Sequence, residues 1–198
     1  MSLAPLDASR TALLILDMHA CIAGPDGNAA THAAEQNLVP NIVRLRDAAD
    51  ATGVPVVFVQ HRRPHGIRPY GQISSLFREI ADDPDLQPGS AGLAMLPELQ
   101  VEEGDIVIEK QRASAFTGTE LDITLRAMGI DTILLTGAWT NLSVESTARY
   151  ATDIGYAAVV ASDGTASESA PWHEIALTGG LSAVASVATV SEIVAALG

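Results

Sequence analysis

Leu134-Leu135-Thr136-Gly137-Ala138-Trp139-Thr140-Asn141-Leu142-Ser143-Val144-Glu145-Ser146-Thr147-Ala148-Arg149 reads as a buried strand, a glycine turn and a helix that opens near Ser143. A side chain at such a helix start faces unpaired backbone N–H groups and the positive end of the helix dipole. That field lowers the pKa of a thiol and stabilises an oxyanion. Two other apolar, strand-like runs end in chemistry-bearing residues, the first at Asp17 and the second at Lys110. An acid, a lysine and a nucleophile position at three strand ends make a candidate active site.

Outward from that stretch, apolar β-rich runs alternate with helix-length amphipathic runs. Residues 11–16 are almost continuously apolar, as expected where both faces of a sheet are covered. Leu38, Ile42, Leu45 and Ala49 fall on one face of a helix predicted over 37–51, which Gly53 ends. Strands follow at 54–59, with Pro55 at the start, and at 105–108, running on to Lys110. A helix over 119–128 stops at Gly129, the fourth strand covers 132–136, and a helix over 144–154 closes at Gly155. A fifth strand at 157–161, a helix over 172–181, a short strand at 187–190 and a last helix capped by Ser191 complete the chain. Residues 61–100 hold most of the Pro, Gly and Asp and little periodicity, which predicts a lid, a binding loop or an oligomer contact. The βαβ alternation predicts a three-layer αβα fold, a six-stranded mainly parallel sheet with helices on both faces, in one domain over 1–198. In such sheets ligands bind outside the carboxyl ends of the strands, where Asp17, Gln60, Lys110 and Ala138 lie.

Composition narrows the function classes. The net charge of −13 argues against nucleic acid and acidic membranes as partners. No apolar run approaches the ~18 residues of a membrane span, and no basic-then-apolar leader opens the chain. The single cysteine, Cys21, excludes an intrachain disulfide framework, fits a reducing cytoplasm, and reads as a small buried hydrophobe or a reactive thiol. The expected partner is a small-molecule substrate.

Each site residue has two readings. Asp17 is a turn or helix-cap aspartate, or a general base or acid. Lys110 is a solvated strand end, or a cation that orients Asp17 and stabilises developing negative charge. Gln60 is a surface residue or a substrate ligand. Ile22, Tyr70, Phe77, Phe116, Trp139 and Trp172 are candidate apolar walls, and all but Trp139 are equally readable as core. Arg62, Arg63 and Arg68 are solvated loop charges or anchors for a substrate carboxylate.

The strand ending in Asp17, the run Val107 to Phe116 with Lys110 inside it, the run Thr136-Gly137 through Arg149, then Gly155-Tyr156 and Ser162-Asp163-Gly164, resemble in order and spacing the isochorismatase-like cysteine hydrolases. The resemblance covers essentially the whole chain. It implies an Asp-Lys-Cys triad, whose roles fall on Asp17, Lys110 and position 143. It implies a non-proline cis peptide between Ala138 and Trp139, with the backbone N–H groups of Trp139 and Ser143 as an oxyanion hole. It also implies a homo-oligomer, dimer or tetramer, a tendency shared by an acidic, apolar-rich domain with a long loop. Val144 to Arg149 looks like the amide-hydrolysing branch, so the activity implied is hydrolysis of a small amide, lactam or ureido compound.

Position 143 holds serine where the family's nucleophile is cysteine. A thiol is acidic enough for one carboxylate and a helix terminus to keep it largely ionised, whereas a hydroxyl needs a stronger base, usually histidine. No histidine adjoins Ser143 in sequence, leaving His19 and His61 to approach in space. Three explanations fit: a deliberate Cys-to-Ser replacement that impairs the enzyme, a natural serine variant, or a chain that needs no nucleophile. The last covers isochorismatases proper, which cleave a vinyl ether with the aspartate as acid and a glutamine, here Gln60, on the substrate. It also covers a binding module that has lost catalysis. His19, His61 and His65 give only a weak zinc signal, and the expectation is no catalytic metal and no cofactor.

Overall fold

The structure, a computed structural model, describes residues 3–62 and 74–198. Six strands form one sheet: β1 (Thr11–Leu16), β2 (Val56–His61), β3 (Ile106–Lys110), β4 (Thr132–Ala138), β5 (Ala157–Ala166) and β6 (Ser186–Ala188). Their order is β3-β2-β1-β4-β5-β6, and every pairing is parallel. The chain builds outward from β1 to one edge through β2 and β3, then returns to β4 and builds to the other edge. The direction of winding therefore reverses between β1 and β4, where an open parallel sheet leaves a crevice at its carboxyl end.

The α-helices are α1 (Ala20–Ala23), α2 (Ala30–Glu35), α3 (Leu38–Thr52), α4 (Ser75–Asp82), α5 (Leu121–Ala127), α6 (Glu145–Asp153), α7 (Ala170–Ile175) and α8 (Val190–Leu197). Alternation along the strands sorts the core into two layers. Leu14, Leu16, Val57, Val59 and Leu135 pack with Leu121 and Leu125 of α5 and Ala148 and Ala151 of α6. Leu13, Ile15, Val56, Phe58 and Leu134 pack on the opposite face with Leu38, Ile42 and Leu45 of α3 and Ile193 of α8. All six residues of β1 are buried because both faces are covered, and that is why its sequence is apolar from Ala12 to Leu16.

Several boundaries differ from expectation. β5 extends to Ala166, and the β4–β5 register slips between Leu135 and Gly137, so that Gly137 pairs with Thr165. The last helix starts at Val190, one residue before Ser191. Thr189 caps it: its Oγ1 accepts from the Glu192 N–H at 3.2 Å, and Glu192 Oε2 accepts from the Thr189 N–H at 2.8 Å. That is the Thr-x-x-Glu capping box. The helix expected over 172–181 begins earlier, at Ala170, and gives way to a π turn at Ala176–Gly180 and a 3-10 turn at Leu181–Ala183. Within the region read as loop lie α4 and three 3-10 turns, Pro84–Leu86, Ala91–Leu93 and Pro97–Leu99. Among the described residues, no helix is long and apolar enough to cross a membrane.

Candidate active site

Asp17 follows the last residue of β1 and turns the chain with a left-handed backbone, φ 53°. Asp and Asn tolerate that region better than other non-glycine residues. Its N–H donates to Val59 O at 2.9 Å, and its carbonyl accepts from the His19 N–H at 2.8 Å, which fixes the side chain above the sheet end. Lys110 ends β3, on the edge of the sheet, in register with His61 of β2. Strands lie about 4.8 Å apart, so only a long side chain reaches from β3 past β2 to the end of β1.

Lys110 spans that gap while 3% exposed. Its Nζ donates to Asp17 Oδ2 at 2.7 Å, to Ser143 Oγ at 2.8 Å and to Ala113 O at 2.9 Å. An ammonium has three hydrogens, and all three are used. The three side chains expected at the site thus meet, with the lysine between the other two. Asp17 was expected beside the nucleophile; instead Ser143 Oγ accepts from Lys110, and the carboxylate lies one nitrogen further on. Because both oxygens bond the same nitrogen, a single water is enough to bridge them. Asp17 Oδ1 is buried and is the one buried side-chain oxygen or nitrogen without a hydrogen-bond partner among the described residues. A buried acceptor left open in this way is uncommon.

Ser143 lies in a π turn, Thr140–Val144, which precedes α6; the expected α-helical start is replaced by this wider turn. The N–H groups of Leu142 and Val144 both donate to Trp139 O at 3.1 Å. Single π turns recur at functional sites because they re-aim a side chain without ending the helix. The peptide between Ala138 and Trp139 is cis. Just before it, Gly137 has φ 106°, and an added Cβ there would meet Leu16 O at 2.1 Å, so glycine alone lets β4 approach β1 at the site. A polar network braces the turn from outside. Gln36 Nε2 donates to His173 Nε2 at 2.7 Å, which leaves His173 Nδ1 to donate to Thr140 Oγ1 at 2.8 Å. Burial, and then the neighbouring His32, push His173 down to about 4.

His19 supplies no base to Ser143 in its present bonding. His19 Nε2 accepts from the His61 N–H at 3.0 Å, and its Nδ1 donates to Leu93 O at 3.0 Å, so both ring nitrogens are engaged. Burial holds His19 below its ordinary pKa. His61 is in the cavity wall, and burial pushes it down to about 4. Cys21 also lines the cavity rather than the core, and burial, followed by Asp83 and Asp85, pushes its thiol up to about 11. A thiol with that pKa is a weak nucleophile near neutrality.

The cavity over Asp17, Lys110 and Ser143 has a volume of about 730 Å³, in the range of small-molecule sites. Ile22, Phe77, Trp139 and Trp172 line it, as expected, together with Leu142 and with Leu76 and Ile80, which flank Phe77 on α4. Two expected wall residues are elsewhere. Phe116 is core: its ring stacks on Tyr150 at 5.7 Å and meets Tyr156 at 5.5 Å. Gln60 is absent from the wall, which holds its neighbour His61; alternation along β2 sends the two side chains to opposite faces. Arg62 is exposed and pairs with Glu109 instead of lining the cavity. Tyr70, His65, Arg63 and Arg68 lie outside the described residues. Among the described residues, no group of three His, Cys, Asp or Glu side chains is placed to hold a metal ion.

Known proteins resemble the chain along its length. Residues 11–192 match the sequence profile of the Isochorismatase domain. The isochorismatase-family protein YwoC of Bacillus subtilis (strain 168) is 32% identical over 183 residues, covering 87% of this chain and 86% of that protein. The ureidoacrylate amidohydrolase RutB of Stutzerimonas stutzeri (strain A1501) is 32% identical over 176 residues, covering 81% of this chain and 71% of that protein. A crystal structure of a cysteine hydrolase from Pseudomonas syringae pv. phaseolicola 1448A superposes with a TM-score of 0.89 at 25% identity, covering 100% of this chain and 96% of that one.

Proposed function

This chain belongs to the isochorismatase family, and on that premise we propose that it is an amidohydrolase that cleaves a non-peptide C–N bond in a small amide, lactam or ureido compound. The relatives named as ureidoacrylate amidohydrolases and the neighbour named as a cysteine hydrolase support the reaction type. The observation that carries the residue assignment is the three-way contact at Lys110 Nζ beside the unpartnered Asp17 Oδ1. An ammonium held on the atom at position 143 favours its anion, and a buried carboxylate oxygen with no partner is a ready proton acceptor.

In this reading the nucleophile at position 143 gives its proton to Asp17 and attacks the substrate carbonyl. The backbone N–H groups of Trp139 and residue 143 hold the oxyanion, and Lys110 stabilises the charge at the nucleophile. Asp17 returns the proton to the departing nitrogen, the C–N bond breaks, and ammonia or an amine leaves. Water, losing a proton to Asp17, then attacks the acyl group, and the acid product departs as the proton returns to position 143. Ser143 makes the chain as given an impaired form of this catalyst, because its hydroxyl is far less acidic than the thiol the arrangement suits. The vinyl-ether alternative places a glutamine on the substrate, and Gln60 is not in the cavity wall. The same family premise extends to a homo-oligomer, dimer or tetramer, in solution.

Ser143→Cys tests the assignment. Turnover of small amides should rise by orders of magnitude, and Asp17→Asn in that background should remove about 10²–10⁴-fold of it. Equal activity with serine and cysteine would overturn it.

A further inference from the structure

Among the described residues, the cavity wall has a lopsided charge. Beside the Lys110–Asp17 pair, whose charges offset each other, the described wall carries five carboxylates: Asp26, Glu79, Asp83, Asp85 and Glu168. They come from three separate segments: the connection between α1 and α2, α4 with the turn that follows it, and the connection between β5 and α7. Against them the described wall sets one further cation, Arg112, whose guanidinium lies over the Phe77 ring at 4.9 Å. The negative field reaches inward: Asp83 and Asp85 follow burial among the causes that push the Cys21 thiol up to about 11. At the floor, Asp17 Oδ1, on a residue 6% exposed, is an acceptor with no partner. It calls for a ligand that brings an N–H donor. Trp139 and Trp172 line the same wall, and indole rings are good partners for cations.

We infer that this cavity selects small amides that carry a positive charge, an ammonium or guanidinium group, and rejects those that carry a carboxylate. The inference deepens the amidohydrolase reading and rests on it for the identity of the site. The amide end sits at Asp17 and position 143, and the cationic end reaches the carboxylates at the mouth. The chain's net charge of −13 assists capture of the same ligands from solution.

Both tryptophans of the chain, Trp139 and Trp172, line the cavity, so intrinsic fluorescence reports its occupancy. The protein with Ser143 is titrated at low ionic strength with three amides of equal length: 5-aminopentanamide, hexanamide and adipamic acid. The cationic amide should bind about tenfold or more tighter than the neutral one, with the anionic one weakest. The preference should shrink towards unity at about 0.5 M salt. It should fall severalfold in Asp83→Asn/Asp85→Asn, but hold in Glu98→Gln/Glu103→Gln, which removes the same charge outside the wall. Three results overturn the inference: adipamic acid binding as tightly as 5-aminopentanamide, an unchanged preference in Asp83→Asn/Asp85→Asn, or no binding by any of the three. Hydrolysis is read separately with Ser143→Cys. Selective binding without turnover would sink the amidohydrolase reading and leave this inference standing; turnover indifferent to charge would do the reverse.

Discussion

Replacing Lys110 with methionine keeps the long stem and removes the ammonium. Three hydrogen bonds go with it, to Asp17 Oδ2, Ser143 Oγ and Ala113 O. Asp17 Oδ1 already has no partner, so the variant strands a carboxylate that is 6% exposed with both oxygens unsatisfied. Removing one member of a buried ion pair costs about 3–5 kcal/mol, a large part of the roughly 5–15 kcal/mol that holds a domain together. Asp17→Asn in the same chain removes the stranded charge, and asparagine tolerates the left-handed backbone at φ 53°. The double variant should therefore recover about 1–3 kcal/mol relative to Lys110→Met alone. Urea unfolding of the parent, both single variants and the double variant, followed by tryptophan fluorescence, closes the cycle. A Lys110→Met cost within about 1 kcal/mol of zero, or no recovery in the double variant, would show that the pair is solvated and that Lys110 does not hold the site together.

Three further expectations follow from the same geometry. Gly137→Ala forces a side chain onto φ 106° and to 2.1 Å from Leu16 O; it should lower stability by roughly 3 kcal/mol or more in thermal unfolding, and a near-neutral effect would contradict the close approach of β4 to β1. His61 and His173 titrate at about 4 in the folded chain against 6.5 ordinarily. The unfolded chain therefore binds more protons between those values, and stability should be full above pH 6.5 and fall as pH drops through about 4. Urea midpoints measured across that window check the sign, and His173→Gln should flatten part of the slope. Cys21, pushed up to about 11, should resist iodoacetamide at pH 7–8, and in Ser143→Cys peptide mapping should find label at position 143 and not at Cys21.

Much of the fold could be read directly because burial on both faces writes itself into sequence. Residues 12–16 and 133–135 are unbroken apolar runs, and they lie in the two central strands. The glycines at 53, 129 and 155 follow helix ends as expected. Short elements left no such trace. α1 and α2 are four and six residues long, too brief for a 3.6-residue period to emerge. α4 has the pattern Leu76, Phe77, Ile80, but it sits among proline, glycine and aspartate that read as loop. The π turn around Ser143 is invisible because its residues suit an α-helix equally well. Gln60 and Phe116 lie close in sequence to strand ends, and closeness along the chain does not fix which way a side chain faces. Strand alternation turned Gln60 away, and Tyr150 and Tyr156 draw Phe116 into the core. The open oxygen of Asp17, the inward side of Cys21 and the carboxylate rim depend on packing between distant segments, which no local pattern encodes.

The most direct test of a nucleophile at position 143 is the intact mass of the Ser143→Cys chain, acid-quenched during turnover of a small amide. The account predicts an acyl group on the peptide containing residue 143, absent when Asp17 is also changed to asparagine. Hydrolysis that proceeds with residue 143 unmodified, or an acyl group on any other side chain, would contradict it.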